Sequence, residues 1–186
     1  MLPNIFRVID LSELTIEWNI RINYQSTLIQ TNCYSEMADV HNKETRSYNM
    51  SRIKGKNTKP EMLVRQFLHA RGCRYRLHVK DMPGKPDIVL PKYKVVIFIQ
   101  GCFWHGHADC RYYVVPKTKT EWWLNKINGN KTKDITNIQL LKKAGWQVIE
   151  IWECELRSKN RNQNLTNLWE YLQHQLMRLH LEKGMQ

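Results

Sequence analysis

The segment Ile88-Val-Leu-Pro-Lys-Tyr-Lys-Val-Val-Ile-Phe-Ile99 decides the fold, because it holds two apolar runs separated by only four residues. Short apolar runs of this kind are typical of buried strands. A four-residue connection allows an antiparallel hairpin and is too short for a parallel crossover. We therefore expect this hairpin at the centre of a sheet.

A helix and a further strand are predicted upstream of the hairpin. Thr58-Lys-Pro-Glu61 is a capping box with proline in the first turn, and apolar residues follow on one helical face up to a stop at Gly72. Residues 74–79 alternate between basic and apolar side chains, which indicates a half-buried strand.

Downstream of the hairpin the pattern is helix and strand. A capping box at residues 118–121 begins a helix with Gly129 near its end, and a second amphipathic helix stops at Gly145. Residues 148–151 have the composition of another strand. We therefore expect an α/β domain in which helices flank a mixed central sheet.

The two ends of the chain differ from this middle part. Residues 1–36 show no sustained periodicity, so we expect a poorly ordered extension, and Met37 is an alternative start. Residues 158–164 predict a polar linker. A final helix follows, with one apolar face formed by Leu165, Leu168, Leu172, Leu176 and Leu179. The predicted units are therefore 1–36, 37–157 and 158–186.

Composition points to a single main domain with a polyanionic partner. The chain has 186 residues, a formal net charge of +12 and a pI of about 9.6. A strongly positive surface attracts nucleic acid. Charge alone is equally consistent with a solvated basic surface, so the nucleic-acid interpretation depends on finding a site.

Cysteine usage and hydropathy bear on the compartment. Five cysteines without a secretory signal favour reduced, metal-binding thiols over disulfides. No stretch approaches the roughly eighteen apolar residues that a membrane span needs. We expect a soluble, cytoplasmic protein with no membrane partner.

Four cysteine and histidine residues are candidates for a metal centre. Cys102, His107 and Cys110 fall within nine residues after a buried strand, and Cys154 follows the last strand. A set of three thiolates and one imidazole suits the closed tetrahedral shell of structural zinc. Unrelated buried cysteines beside a surface histidine are the alternative. The other two cysteines have no such neighbours and receive no role.

Two carboxylates are candidates for a second metal site. Asp87 ends the stiff segment Pro83-Gly-Lys-Pro-Asp87 at the edge of a central strand, from which it could hold Mg²⁺. An ordinary turn aspartate is the alternative. Glu61 could approach from the first helix, although its capping position accounts for it without catalysis.

A histidine and paired aromatic residues lie near these candidates. His105 stands between two zinc candidates, where it could deprotonate water, and a surface or zinc-bound histidine is the alternative. Phe103-Trp104 on the same loop and Trp122-Trp123 beside a lysine-rich helix suit unstacked bases. For either pair alone, packing into a core is the more common role.

Together these motifs resemble the very-short-patch-repair (Vsr) mismatch endonucleases over roughly residues 37–157. The resemblance rests on Met37-Ala-Asp-Val-His41, Thr45-Arg-Ser-Tyr-Asn-Met50, Pro83-Gly-Lys-Pro-Asp87, Val96-Ile-Phe98, Gly101-Cys-Phe-Trp-His105, Val115-Pro116, Thr120-Glu-Trp-Trp-Leu124, Lys126-Ile127 and Trp152-Glu-Cys154. It implies a restriction-endonuclease-like (PD-(D/E)xK-type) fold with structural zinc. The implied enzyme is a bacterial monomer that cuts double-stranded DNA 5′ to the thymine of a T:G mispair made by deamination of 5-methylcytosine.

The resemblance also implies roles for single residues. Asp87 and the backbone carbonyl of Ile99 match the magnesium ligands, and His105 matches the catalytic histidine. Glu61 and Asp134 match further catalytic residues, and the four cysteine and histidine candidates match the zinc shell. The implied DNA contacts are Phe103, Trp104, Trp123, Lys126 and Asn130.

Three departures from the family pattern bear on function. Gln100 stands where the family often has a second histidine, and one extra residue lies between His107 and Cys110. The usual acidic residue and lysine after the second strand are replaced around Ile99 and Gly101, so His105 would have to take over activation of water. Rival interpretations are a nuclease without mismatch preference, an inactive mismatch-binding protein, and a zinc-stabilised partner-binding module.

Overall fold

The computed structural model describes residues 42–184, so the prediction for residues 1–36 lies outside the described part. The elements are α1 (Lys43–Ser51), α2 (Lys59–Ala70), β1 (Arg76–Leu77), β2 (Ile88–Leu90), β3 (Val95–Gln100), α3 (Thr120–Lys143), β4 (Gln147–Trp152), α4 (Glu153–Arg157) and α5 (Arg161–Gly184). A 3₁₀ turn at Pro91–Tyr93 joins β2 to β3. None of the helices in this part combines the length and apolar character needed to cross a membrane.

The four strands form one mixed sheet in the order β1-β2-β3-β4. β2 pairs with β3 in antiparallel fashion, with Ile88 opposite Ile97, which confirms the predicted central hairpin. β3 pairs with β4 in parallel, with Ile97 opposite Ile149. The crossover between these parallel strands is α3, as parallel pairing requires. The prediction of a mixed sheet is therefore confirmed.

Side chains of alternate strand residues pack into two hydrophobic layers, one on each face of the sheet. On one face, the side chains of β2, β3 and β4 pack against Val64 and Leu68 of α2 and against Leu165, Leu168 and Leu172 of α5. On the other face, Val89, Val96 and Val148 of the strands pack against Leu141 of α3 and form a smaller cluster. Full burial of such a side chain stabilises a fold by about 1.5–3 kcal/mol. The sheet is thus held between helices.

Glycine ends two helices as predicted. Gly72 follows α2 at φ +75° and Gly145 follows α3 at φ +77°. A residue with a Cβ adopts this left-handed backbone conformation only at a higher conformational free energy. One bond of the predicted capping box of α2 is present, since Glu61 N–H donates to Thr58 Oγ1 at 3.4 Å, whereas the Glu61 carboxylate accepts from Asn57 N–H and Thr58 Oγ1. The sequence signals therefore located the start of α2 and the C-terminal ends of both helices.

Three local predictions were wrong. The strand expected at residues 74–79 is reduced to Arg76–Leu77, with Leu77 exposed, because His78 takes a left-handed φ of +46°.

The two helices expected between residues 118 and 145 are one helix, because exposed Gly129 is accommodated inside it. The capping box expected at the start of this helix is absent: its N-cap is Lys119, which makes no side-chain capping bond. The linker expected at 158–164 is shorter, because α5 begins at Arg161 and Asn164 is buried against α4, donating to the Glu155 carbonyl at 3.0 Å.

Candidate active site and metal centre

The candidate site lies where β2 begins and β3 ends. Asp87 immediately precedes β2, and the loop after β3 carries both Cys102 and His105 between the sheet and α3. Gly106 allows this loop to lie against α3, because its φ is +60° and a Cβ there would be 2.8 Å from Ile127 Cγ2, on the buried face of that helix. A cleft of about 1000 Å³ opens at this point and is lined by Glu61, Asp87, Ile99, Trp104, His105 and Asp134.

Asp87 is a partly buried carboxylate with one oxygen committed to the backbone. Its Oδ2 accepts a hydrogen bond from Ile99 N–H at 2.8 Å. Burial raises the pKa of Asp87, and the negative charge of Glu61 raises it further, whereas the bond from Ile99 lowers it. A desolvated anion of this kind is stabilised by a bound cation, which fits the chemistry predicted for Asp87.

The raised pKa predicts that Asp87→Asn stabilises the metal-free protein. A carboxyl whose pKa is higher in the folded chain contributes stability below its unfolded pKa and loses it as the pH rises through the folded value. Ionised Asp87 therefore weakens the fold at neutral pH, and asparagine can still accept from Ile99. We expect a higher Tm for the variant at pH 7 in buffer without added Mg²⁺.

Thermal unfolding across pH provides the check on this stability prediction. The Tm difference between the variant and the wild type should shrink as the pH falls below the ordinary aspartate pKa, where Asp87 is protonated in both the folded and the unfolded chain. The same substitution at an exposed aspartate outside the metal-binding loop, Asp81→Asn, serves as the control. A lower Tm for Asp87→Asn at pH 7 would contradict the prediction.

His105 is oriented by Asp134. The distance between His105 Nδ1 and Asp134 Oδ2 is 2.6 Å, and both side chains are partly exposed. A carboxylate at Nδ1 keeps the proton on that nitrogen, so Nε2 carries the lone pair of the neutral ring. The pair has the arrangement of a general base held by a carboxylate. Spacing alone could not have paired them, because they are 29 residues apart.

Glu61 is held mainly by its own helix. Its carboxylate accepts from Arg65 Nη2 at 2.7 Å, from Asn57 N–H at 2.9 Å and from Thr58 Oγ1 at 3.0 Å. These contacts account for its burial at 3 % exposure without a bond to His105. The structure therefore places Glu61 in the cleft wall, as part of an ion pair that the sequence reasoning did not consider.

The sequence reasoning also missed Arg65 and His78. Arg65 lies one turn after Glu61, a spacing that signals an ion pair on a helix, and His78 had been assigned to an alternating strand. In the structure, Arg65 Nη2 lies 3.0 Å from His78 Nε2, and His78 lines the same cleft as Asp87. No local sequence signal marks His78, because its contacts come from folding.

The four residues predicted as zinc ligands lie together. One ligand atom from each of Cys102, His107, Cys110 and Cys154 falls within 4.8 Å of all the others. His107 also stacks on Trp152, with ring centres 4.0 Å apart and planes at 4°. This is a closed set of three sulfurs and one nitrogen, as a tetrahedral metal ion requires.

Burial changes the acidity of these four side chains in a way that a cation would reverse. It raises the pKa of the Cys102 and Cys154 thiols and lowers the pKa of His107. Without a cation the thiols are therefore held neutral in close contact. A divalent metal would replace the thiol protons and bind neutral imidazole, so this donor set fits one.

The predicted aromatic residues form a cluster in contact with one another. Phe103 packs edge-on against Trp104 and Trp123, with ring centres 5.2 Å apart in both pairs. Trp122 is 56 % exposed and packs against Trp123. The three residues predicted to enter DNA therefore share one surface beside the cleft.

The remaining predicted DNA contacts lie on α3 near this cluster. Lys126 is exposed, whereas Asn130 donates from Nδ2 to the Trp104 carbonyl at 2.9 Å and so holds the aromatic loop. Gln100, at the end of β3, is buried at 4 % exposure in the wall of the cleft. Basic side chains line the same cleft and give it a positive potential suited to phosphate: Arg52, Lys54, Lys56, Lys80, Lys85 and Arg157.

Comparison with known proteins identifies a family for this arrangement. Residues 38–112 match the family described as DNA mismatch endonuclease Vsr. The match includes Asp87, His105 and three of the four metal-ligand candidates, and it ends before Asp134 and Cys154.

Curated relatives extend the similarity. The chain is 51 % identical over 123 residues to a type II nicking enzyme of Neisseria meningitidis. The aligned segment covers 66 % of this chain and 87 % of that protein. It is 46 % identical over 120 residues to a type II nicking enzyme of Xanthomonas oryzae, covering 64 % and 88 % of the two chains. It is 43 % identical over 125 residues to the DNA mismatch endonuclease Vsr of Escherichia coli, covering 67 % and 80 %.

Proposed function

The chain belongs to the DNA mismatch endonuclease Vsr family, and from this premise we propose that it nicks double-stranded DNA at a T:G mispair to initiate very short patch repair. The cut lies 5′ to the thymine of a mispair that arises by deamination of 5-methylcytosine. One observation carries the proposal: Asp87 and the His105–Asp134 pair line one basic cleft beside a cluster of aromatic rings.

Asp87 and the backbone carbonyl of Ile99 are proposed to hold Mg²⁺. Held by these two groups, Mg²⁺ would supply the positive charge needed to neutralise the scissile phosphate and to stabilise the departing 3′ oxygen. The raised pKa of Asp87 and its place in the cleft support this assignment. The same arrangement supports a restriction-endonuclease-like, PD-(D/E)xK-type core in which a histidine replaces the usual lysine.

His105 is proposed as the general base. Its Nε2 takes a proton from the attacking water, the water oxygen bonds to phosphorus, and the bond from phosphorus to the 3′ oxygen breaks. Asp134 stabilises the imidazolium through Nδ1 at 2.6 Å. The departing 3′ oxygen takes a proton from solvent, so the products are a 5′ phosphate and a 3′ hydroxyl, and His105 returns its own proton to solvent. Glu61 contributes negative charge to the cleft from the wall of α2.

The cluster of Cys102, His107, Cys110 and Cys154 is proposed to bind structural zinc. It ties the catalytic loop to the end of β4, because Cys154 lies in the first turn of α4, the helix that directly follows that strand. His105 lies on this loop, so zinc would fix the base relative to Asp87 without taking part in the reaction. The enzyme is proposed to act as a monomer.

Mismatch selection is proposed to come from the aromatic cluster. A mispaired step is easier to unstack than a matched one, so an inserted ring opens it at lower cost. Phe103, Trp104 and Trp123 supply the rings, and Lys126 and Asn130 lie on the helix beside them. Lys126 is placed to contact phosphate, whereas Asn130 orients the loop.

Phe103→Ala should weaken binding to a T:G duplex by about 5- to 100-fold, the range that loss of one stacked aromatic ring produces. Binding to the matched C:G duplex should change less, because that duplex is not opened. Titration of labelled duplexes in EDTA measures both. Leu181→Ala is the control, since Leu181 is an exposed apolar residue on α5, a helix that contributes no residue to the lining of the cleft. Equal losses on both duplexes would contradict the wedge role.

A direct test of the proposed function compares nicking of duplexes that carry T:G or C:G at one position, in several methyltransferase contexts. We expect magnesium-dependent nicking of the thymine strand only in the T:G duplex. Equal nicking of both duplexes would assign the chain to nucleases without mismatch preference. Tight T:G binding without nicking in any context would instead show a mismatch-binding protein.

A further inference from the structure

A chain of polar side chains links helix α2 to the proposed magnesium ligand. Glu61 Oε2 accepts from Arg65 Nη2 at 2.7 Å, and the same nitrogen lies 3.0 Å from His78 Nε2. His78 Nδ1 in turn lies 4.0 Å from Asp87 Oδ1. The proposed reaction uses neither Arg65 nor His78, although His78 lies between two carboxylates in the cleft wall.

Arg65 determines the tautomer of His78. An arginine guanidinium can only donate hydrogen bonds, so His78 Nε2 must accept. The hydrogen of the neutral ring is then on Nδ1, the nitrogen that faces Asp87. His78 therefore presents an N–H group, and not a lone pair, to the carboxylate.

The backbone of His78 supports a specific role. Its φ of +46° lies in the left-handed region, which histidine, asparagine and aspartate enter more readily than other non-glycine residues. Such a conformation costs free energy and persists where the surrounding structure imposes it. Here it ends β1 and turns the ring toward Arg65 and Asp87.

The ion pair behind His78 is buried. The side chains of Arg65 and Glu61 are 6 % and 4 % exposed, whereas that of His78 is 20 % exposed. A buried pair contributes little net stability because of desolvation. Arg65 is further fixed by a bond from Nη1 to Asn57 Oδ1 at 2.6 Å. The guanidinium is thus a rigid support for the ring.

We propose that His78 is a positioning residue for Asp87: Arg65 holds its ring so that Nδ1–H faces Asp87 Oδ1 and orients that oxygen for the metal ion. Asp87 then stands between two N–H groups, because Ile99 donates to Oδ2. At 4.0 Å the His78 contact is longer than a hydrogen bond, so it acts through electrostatic attraction. The inference rests on the proposed function in taking Asp87 as a metal ligand.

Three variants separate this role from a structural one. In His78→Asn the side-chain amide can occupy the place of Nδ1–H, and asparagine tolerates the left-handed backbone. In His78→Gln the longer amide reaches the place of Nε2 and can contact only Arg65. His78→Ala removes both contacts. Thermal unfolding of each variant shows whether the fold is retained.

The measurement is Mn²⁺ binding by electron paramagnetic resonance, together with the Mg²⁺ dependence of T:G nicking. His78→Ala and His78→Gln should bind Mn²⁺ about 10-fold more weakly than the wild type, in the range found for residues that orient metal ligands. Their half-maximal Mg²⁺ concentration for nicking should rise in parallel, with duplex binding in EDTA unchanged. His78→Asn should keep most of the wild-type metal affinity.

Two results would overturn the inference. Unchanged Mn²⁺ affinity in His78→Ala would show that Asp87 needs no support from His78. Rescue by glutamine and not by asparagine would assign His78 to a structural tie with Arg65. A wild-type chain that binds Mn²⁺ through Asp87 but nicks no duplex would contradict the proposed function, while the variants would still test His78.

Discussion

Replacing His105 by alanine should lower the single-turnover rate of T:G nicking by about 10²- to 10⁴-fold, the usual contribution of a general base. The geometry supports this magnitude, because Asp134 holds Nδ1 at 2.6 Å and leaves Nε2 as the basic nitrogen at the cleft. Binding of the T:G duplex in EDTA should stay close to wild type, since the aromatic cluster is untouched.

Asp134→Asn provides the graded companion to His105→Ala. An amide at this position neither stabilises imidazolium nor holds the same tautomer, so a smaller loss of rate is expected. Glu121→Gln, on the first turn of the same helix and outside the cleft, is the matched control. If His105→Ala nicks at the wild-type rate, a different group activates the water. A rate-versus-pH profile that is displaced along the pH axis in Asp134→Asn would show that Asp134 changes the basicity of His105. A profile of unchanged shape at a lower rate would show that Asp134 positions the ring.

Loss of the metal from the cysteine and histidine cluster should be the most damaging change to stability. Cys154→Ser breaks a set that ties the catalytic loop to the end of β4, and it leaves two thiols and an imidazole in close contact. We expect a loss of about 3–5 kcal/mol, as for other disrupted metal centres or buried networks. In a chain of this size each kcal/mol lowers the Tm by roughly 2–4 °C.

Metal analysis and thermal unfolding test this stability prediction together. The wild type should carry one zinc ion per chain that survives the brief EDTA exposure of the DNA-binding assays, whereas prolonged treatment with a strong zinc chelator should lower its Tm to that of Cys154→Ser. Cys73→Ala is the control, because Cys73 is a buried cysteine outside the cluster and should leave the zinc content unchanged. Wild-type protein that is free of zinc and has the same Tm with and without chelator would contradict the assignment.

The sequence predicted the central fold because its signals there are local. Alternation and chain length determine the hairpin at residues 88–99, since four connecting residues permit only antiparallel pairing. Gly72 and Gly145 end their helices at positive φ, and a glycine placed directly after an amphipathic segment is enough to predict such an end. The metal cluster was also accessible, because three ligands fall within nine residues of the chain.

What the sequence could not predict depends on tertiary contacts. Gly129 weakens a helix by only about 1 kcal/mol, and α3 continues through it because Ile127 and Leu141 are both buried. The polar residues around Asn164 predict a linker, and only the tertiary structure shows that Asn164 donates a hydrogen bond to the Glu155 carbonyl. Residue spacing alone could not pair His78 with Arg65 or His105 with Asp134, because the partners are 13 and 29 residues apart.

The most direct test of the account uses an end-labelled T:G duplex with the wild-type chain and Asp87→Asn, in Mg²⁺ and in EDTA. The wild type should produce a single cut 5′ to the mispaired thymine, only with Mg²⁺, and Asp87→Asn should bind the duplex but leave it intact. Undiminished cutting by Asp87→Asn would contradict the assignment of the cleft around Asp87 and His105 as the active site.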